Sequence, residues 1–290
     1  MARTPALAVL LLAGLLAACA GEPAVVVGSK NFTEQLVLGE ILAQQVERRL
    51  GIKVERRLNL GGTMLAHQAL AAGEIDLYPE YTGTALMAVL DLPPAYDPQE
   101  VRERVKAEYR RRFEIEWLPP FGFDNSFVMV VPGELAREKG LETLSDAAAE
   151  GTAWALGASY EFEGRSDGLP ALNRVYGLKW AGSPVTMDLG LLYRALEQGQ
   201  VTMVAANGTD GMLSALDVKI LRDDRGAFPP YEAAVAVRQS SLDRWPGLRE
   251  ALGELSGSID PSTMQRLNYQ ADGEHRPIEE IAARFLETVP

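Results

Sequence analysis

Short apolar runs alternate with amphipathic stretches along most of this chain. In its first third, the predicted strands cover Ala24 to Gly28, Lys53 to Leu60 and Ile75 to Tyr81. Helical spacing of apolar residues begins near Thr33, Met64 and Gly83. Strands that alternate with helices indicate a mainly parallel sheet covered on both faces.

The turn after the first strand is the first candidate ligand site. Asn31 and Glu34 have the spacing of a capping box, which predicts a helix from about Thr33 to Leu50, and Gly51 is a typical C-cap. Ligands of open α/β sheets bind in the crevice outside the carboxyl ends of the strands. A second Gly-rich turn at 61–63 faces the same edge but lacks the spacing of a phosphate-binding loop.

Two Pro-rich breaks divide the chain, at 119–123 and at 228–231. Between them lies a second α/β set, with predicted strands at Phe127 to Val131, Thr152 to Gly157, Val201 to Ala206 and Val218 to Leu221. This order predicts one domain inserted into another through two crossings. Leu242 to Val289 is mostly helical in pattern and is expected to pack back on the first domain.

The N-terminal residues read as a targeting segment. Arg3 is followed by an apolar run at 6–16 and by Leu16-Ala17-Ala18-Cys19, which resembles the bacterial lipoprotein signal. We therefore expect residues 1–18 to be removed and Cys19 to carry lipid on the extracytoplasmic side of a membrane. A plain signal peptide with an incidental cysteine is the alternative. No later run approaches the length of a membrane span, so the rest is expected to be a soluble body held by lipid.

Composition narrows the possible functions. The 290 residues include one cysteine, so a disulfide, a thiolate metal cluster and a cysteine nucleophile are excluded from the mature domain. A net charge of -12 without a basic block argues against nucleic acid as a partner. His67, on an amphipathic helix, and His275, in a polar loop, have no spacing that suggests a metal site or a nucleophile and base pair. We expect no enzyme activity, no metal and no cofactor.

Six motifs carry a family resemblance, and they occur in order over residues 24–290: Ser-Lys-Asn-Phe-Thr-Glu-Gln at 29–35, Asn-Leu-Gly-Gly-Thr at 59–63, Asp-Leu-Tyr-Pro-Glu-Tyr-Thr-Gly-Thr at 76–84, Gly-Arg-Ser-Asp-Gly at 164–168, Thr-Asp-Gly at 209–211 and Phe-Pro-Pro-Tyr at 228–231. Together they resemble the substrate-binding proteins of osmoprotectant ABC importers, which bind glycine betaine, carnitine or choline.

The resemblance implies the type II periplasmic-binding-protein fold, with two α/β lobes joined by two hinge crossings. Lobe I would comprise residues 19–126 plus 231–290, and lobe II residues 127–230. It also implies a monomer that captures a small quaternary amine or zwitterion between the lobes and delivers it to an ABC permease with its ATPase.

The resemblance also implies an aromatic cage. Tyr81 and Tyr231 match two tyrosines of the family's cage, and Phe127 stands where tyrosine is typical. Asn207 stands where an aromatic residue is usual, and Tyr160 or Phe162 could supply a substitute ring. The other ligand contacts implied by the resemblance are Gln35, Thr84, Asn31, Asn125 and Arg165. Arg165 could instead form an interdomain or surface salt bridge.

A trimethylammonium group has no N–H to donate, so aromatic faces must select it, at about 0.5 to 2 kcal/mol per ring. Because of Asn207 and Phe127, a receptor for a different amine or zwitterion stays open as an alternative. A sensory binding protein and, less favoured by the histidine inventory, an extracytoplasmic enzyme on the same scaffold are further alternatives.

Overall fold

The computed structural model describes residues 24–289, so the predicted signal at 1–18 and Cys19 lie outside the described residues. Ten strands are formed: β1 Val25–Gly28, β2 Val54–Arg57, β3 Leu77–Tyr81, β4 Ile115–Trp117, β5 Phe127–Pro132, β6 Leu156–Ala158, β7 Val185–Thr186, β8 Met203–Asn207, β9 Val218–Leu221 and β10 Ala233–Arg238.

The strands form two five-stranded sheets. Lobe I is built on the order β2-β1-β3-β10-β4 and lobe II on the order β7-β6-β8-β5-β9. Each sheet is mixed: β1 and β6 run parallel to both of their neighbours, whereas β10 and β5 run antiparallel to both of theirs. The antiparallel strand in each lobe is therefore the one that follows a crossing. The predicted two-lobed α/β fold is confirmed, but its sheets are mixed and not mainly parallel. The exact lobe boundaries stay a prediction.

Helices cover the sheets. In chain order they are α1 Thr33–Leu50, α2 Thr63–Ala72, α3 Thr82–Thr84, α4 Pro98–Phe113, α5 Gly133–Lys139, α6 Leu144–Ala149, α7 Tyr160–Gly164, α8 Leu169–Tyr176, α9 Leu189–Glu197, α10 Gln239–Arg244, α11 Leu248–Gly253, α12 Pro261–Asp272 and α13 Ile278–Leu286. A π-helical turn, Ala85–Val89, continues α3. As predicted, the C-terminal helices pack on lobe I, where α11, α12 and α13 all contact α1.

The two crossings lie side by side. The Asn125 N–H donates to the Tyr231 carbonyl at 3.1 Å, and the Ala233 N–H donates to the Phe123 carbonyl at 3.1 Å. Asp124 and Glu232 form an antiparallel bridge between them. The paired segment thus adjoins the Pro-rich breaks that were predicted as hinges.

One local prediction is wrong. The N-cap of α1 is Phe32, without a side-chain cap, and the Glu34 carboxylate does not return to the backbone of Asn31. The Glu34 carboxylate is buried instead, and it makes contacts with distant segments in place of the local cap. The predicted C-cap is correct, because Gly51 adopts the left-handed conformation at φ 64°.

The cores of the described chain are apolar and dense. His67 is buried between the rings of Tyr109 and Phe113, with centroids 5.5 and 4.7 Å away. Between residues 24 and 289, no helix combines the length and the apolar character that a membrane crossing requires.

Candidate functional site

A cavity of about 1050 Å³ lies between the lobes, and residues of both lobes and of the crossings line it. Eight of the nine predicted ligand contacts are among them: Asn31, Tyr81, Thr84, Asn125, Phe127, Arg165, Asn207 and Tyr231. The ninth, Gln35, is fully buried and is not part of the lining. Its Oε1 accepts a hydrogen bond from the Lys30 backbone at 3.2 Å. A direct contact between Gln35 and a ligand stays a prediction.

On the lobe I side, Tyr81 ends β3 and turns its ring toward the cavity. Its ring stacks on Phe32, with centroids 6.3 Å apart, and the Lys30 ammonium lies 5.1 Å from its centroid. The Lys30 Nζ also donates to Glu80 at 2.5 Å and to Thr63 Oγ1 at 3.1 Å. A buried cation therefore already lies against one of the predicted cage rings.

The Glu34 carboxylate joins this side to the crossing and to lobe II. It accepts hydrogen bonds from the Tyr81 hydroxyl at 2.7 Å, from Asn125 Nδ2 at 2.8 Å, from Asn268 Nδ2 at 3.0 Å and from the Thr209 hydroxyl. The residue is only 3% exposed. Burial raises the pKa of Glu34, and the four hydrogen bonds oppose that rise because they favour the carboxylate.

Phe127 and Tyr231 form the aromatic side of the cavity. Their ring centroids are 5.5 Å apart, and the Arg165 guanidinium lies 5.2 Å from the first and 5.8 Å from the second. Arg165 is held by Asp167, with Nε to Oδ1 at 2.9 Å, and Asp167 also accepts the Tyr231 hydroxyl at 2.6 Å. The positively charged guanidinium of Arg165 thus lies over both rings.

Neither candidate for a substitute ring closes the cage. Phe162 is fully buried behind Phe127, with ring centroids 5.0 Å apart, and is not part of the lining. Tyr160 does line the cavity, but its side chain is 71% exposed. The cavity therefore receives no buried ring from these two residues.

Asn207 ends β8 directly opposite Phe127 in the β5–β8 ladder. Its backbone N–H donates to Asp210 Oδ2 at 3.1 Å, and the Tyr193 hydroxyl donates to the same oxygen at 3.0 Å. Burial raises the pKa of Asp210 to about 7, helped by the charges of Glu34 and Asp272. Asp210 is therefore poised between its charged and neutral forms near neutral pH.

A direct bridge spans the cleft. Glu161 of α7 accepts the backbone N–H of Thr63, the first residue of α2, at 2.5 Å and the Thr63 hydroxyl at 2.8 Å. A Cβ on Gly62 would lie 2.6 Å from Glu161 Oε1, so a larger residue there would displace the carboxylate. Burial raises the pKa of Glu161, but the charges of Lys30 and Arg165 and the bonds from Thr63 outweigh it, and the net shift is downward.

The remaining predicted contacts differ in their surroundings. The side chain of Asn125 already bonds within the protein, because its Nδ2 donates to Glu34 and its Oδ1 accepts the Thr209 N–H at 3.3 Å. Asn31 is exposed at the rim, where its backbone N–H donates to the Gly61 carbonyl at 3.1 Å. Thr84 is buried at the wall of the cavity.

Several lining residues were not predicted from the sequence: Lys30, Glu34, Glu161, Tyr193, Asp210, Asn268 and Asp272. Three of them lie inside quoted motifs, so the motifs themselves were the available signal. Asn268 and Asp272 come from α12, and no local pattern indicates that a distant C-terminal helix reaches the cleft.

The chain matches a family model and several known proteins. A family model described as the "Substrate binding domain of ABC-type glycine betaine transport system" matches residues 23–288. The chain is 32% identical to the carnitine transport binding protein OpuCC of Listeria monocytogenes, over 90% of this chain and 85% of that protein. It is 34% identical to a glycine-betaine-binding protein of Pseudomonas aeruginosa, over 90% of this chain and 86% of the relative.

Another relative is longer. The chain is 34% identical to the ergothioneine transport permease/ergothioneine binding protein EgtU of Helicobacter pylori, over 92% of this chain. It spans about half of that relative, 48% of its length.

Solved structures agree with the fold. A crystal structure of a glycine betaine/carnitine/choline ABC transporter matches with a TM-score of 0.77 at 30% identity, covering 91% of this chain and 97% of the other. Apo YehZ from Escherichia coli matches with a TM-score of 0.69 at 32% identity, covering 91% and 98%. The relatives are binding proteins of transport systems, so the enzyme alternative is set aside. The chain belongs to the family of substrate-binding domains of ABC-type glycine betaine transport systems.

Proposed function

We propose that this protein captures a betaine, a small molecule with a quaternary ammonium and a carboxylate, in the cavity between its lobes. The observation that carries the proposal is the combination in one cavity of aromatic rings and buried cations. The rings are Tyr81, Phe127 and Tyr231, and the cations are Lys30 and Arg165.

The rings suit the ammonium group. Ring faces attract a cation that cannot donate hydrogen bonds, at about 0.5 to 2 kcal/mol each. Arg165 and Lys30 already lie within 6 Å of these three ring centroids, at 5.1 to 5.8 Å. Three rings would contribute roughly 1.5 to 6 kcal/mol of the roughly 8 kcal/mol that micromolar binding needs.

The cations suit the carboxylate. A guanidinium has five N–H donors and an ammonium three. Arg165 directs three N–H groups to Asp167 and Glu161, and Lys30 directs two to Glu80 and Thr63, so both have donors left. A ligand carboxylate within reach of both would gain charge-assisted bonds of about 1.5 to 3 kcal/mol each.

The relatives support the same ligand class. Their names specify glycine betaine, carnitine and ergothioneine, three compounds that share a trimethylammonium and a carboxylate. We propose further that the protein works outside the cytoplasm, anchored by lipid at Cys19, and passes its ligand to an ABC permease. The lipoprotein-like segment Leu16 to Cys19 and the family support this location and partner.

A second candidate is a receptor for a different amine or zwitterion. Asn207 favours it, because an amide replaces a cage ring and no hydrogen bond to this amide is formed within the described chain.

The test is isothermal titration of the ligand-stripped protein with glycine betaine, carnitine, choline, proline betaine and arginine. We expect micromolar binding of trimethylated compounds and no binding of arginine. Tyr231→Leu should weaken binding by roughly 2- to 30-fold, because one ring is lost, and Tyr231→Phe is the control that keeps the ring. Equal affinity in these two variants would refute the cage, and binding of arginine alone would favour the second candidate.

A further inference from the structure

One side of the cavity differs in character from the aromatic side. It is formed in lobe II by Met187, Leu189, Tyr193, Asn207, Asp210 and Met212, which we call the lobe II wall. Met187, Leu189 and Met212 are partly buried and pack on the same apolar cluster as Tyr193. At the polar end of this wall, Asp210 accepts hydrogen bonds from both Asn207 and Tyr193.

The polar end of this wall has unused hydrogen-bonding capacity. Asn207 is only 8% exposed and lines the cavity, yet its side-chain amide bonds to no other described residue. The amide faces the cavity, so it is available for hydrogen bonds to a ligand. Asp210, whose pKa burial raises to about 7, can accept a hydrogen bond from an N–H group as a carboxylate or donate one to a bare nitrogen as the acid.

The apolar part of the wall suits a flat ring. Methionine side chains adapt to the shape of a ligand and make favourable sulfur–aromatic contacts. Tyr193 adds an aromatic surface next to them. Two methionines, a leucine and a tyrosine thus lie beside the Asn207 amide and the Asp210 carboxyl. Together these groups match a planar ligand group with polar nitrogens at its edge.

The volume of the cavity also favours a ligand larger than glycine betaine. Binding sites for drug-sized ligands occupy about 300 to 1,000 Å³, and this cavity measures about 1050 Å³. Glycine betaine, a trimethylammonium joined to an acetate, would leave most of this volume to water. The ring that other family members are expected to have at position 207 would fill part of it, so asparagine extends the cavity toward the lobe II wall.

We infer that the ligand is a betaine with a planar side chain that bears N–H groups, and that the lobe II wall binds this side chain through Asn207 and Asp210. This inference rests on the proposed function, because the ammonium and carboxylate of the same ligand are assigned to the aromatic rings and to Lys30 and Arg165. Asn207 is then the residue that determines specificity: it gives up one cage ring and gains a contact with the side chain.

The experiment is titration with two probes, glycine betaine and histidine betaine, the Nα-trimethylated form of histidine. Histidine betaine should bind wild-type protein roughly tenfold or more tightly, because it adds hydrogen bonds to Asn207 and Asp210. Asn207→Tyr should reverse this order, since the new ring adds a cage wall for glycine betaine and blocks the side chain of the other probe. Asn207→Ala removes the amide without filling the space, so it should weaken the binding of histidine betaine more than that of glycine betaine.

The outcomes distinguish a failure of the proposed function from a failure of this inference. If neither probe binds to protein whose folding is verified by circular dichroism, the proposed function fails. If glycine betaine binds wild-type protein as tightly as histidine betaine, or if Asn207→Tyr lowers both affinities equally, the inference fails while the proposed function stands. Asn207→Ala keeps the test decisive if the tyrosine variant does not fold.

Discussion

The bridge from Glu161 to Thr63 is a direct contact between the lobes, and its removal should favour the open form. Glu161 belongs to α7 in lobe II, and Thr63 begins α2 in lobe I. We consider Glu161→Gln, which keeps the size of the side chain but removes its charge. The closed arrangement would lose the charge-assisted bonds and the attraction between a carboxylate and the N-terminus of a helix.

The magnitude follows from the contacts. Two charge-assisted bonds are worth roughly 1.5 to 3 kcal/mol each, and the helix dipole adds about 0.3 to 1 kcal/mol. The Glu161 side chain is 37% exposed, so solvent screens the interaction and water replaces it in the open form. We therefore take about 1 to 2 kcal/mol as the net contribution, which corresponds to a roughly 5- to 30-fold change in the ratio of closed to open molecules.

The assay combines two measurements. Small-angle scattering of ligand-free protein should give a larger radius of gyration for Glu161→Gln than for wild type, and titration should give a Kd raised by up to about 30-fold. Glu163→Gln is the matched control: Glu163 lies on the same helix, but it accepts a bond from Thr186 of the same lobe at 2.6 Å. If both variants have the same radius and Kd, the bridge does not contribute to closure.

Two further predictions concern single residues. Asp210 has a folded-state pKa of about 7, whereas unfolded aspartate titrates near pH 3.9, so the folded state holds an extra proton between these values. The free energy of unfolding of wild type relative to Asp210→Asn should therefore fall as pH rises from about 4 to about 7, by up to ~1.4 kcal/mol per pH unit; parallel urea-unfolding profiles of the two proteins would contradict this. Separately, a Cβ on Gly83 would lie 2.6 Å from the Pro230 carbonyl and 2.8 Å from the Tyr231 ring, so Gly83→Ala should destabilise the protein by roughly 1 to 3 kcal/mol and weaken ligand binding. Gly253→Ala, where no atom lies within 4 Å, is the control, and equal melting temperatures for the two alanine variants would refute the argument.

Periodicity was sufficient to predict most of the fold. It located α1 and β9 closely, because amphipathic or apolar segments bury a face that the sequence itself displays. It missed β7, which has only two residues and pairs only with β6. The predicted capping box at the start of α1 was wrong, because a local pattern cannot reveal that Glu34 accepts hydrogen bonds from distant segments.

The candidate site was predictable only in part. Family motifs indicated Tyr81 and Tyr231, and the structure brings both to one cavity. The partners that set the charge of the site come from elsewhere in the chain. Glu161 reaches Thr63 across 98 residues, and Asn268 reaches Glu34 across 234. Such contacts depend on how separate elements pack, and no spacing rule along the sequence encodes them.

The position of β10 within its sheet has a consequence for the order of folding. Strand β10 lies between β3 and β4, and its residue Ala233 pairs with Tyr81, roughly 150 residues earlier. Lobe I thus cannot complete its sheet before the whole inserted segment has been made. All five strands of lobe II come from residues 127–221, which need no later strand. Closing a long loop costs entropy and slows folding. The sheet of lobe II can therefore be completed before the sheet of lobe I.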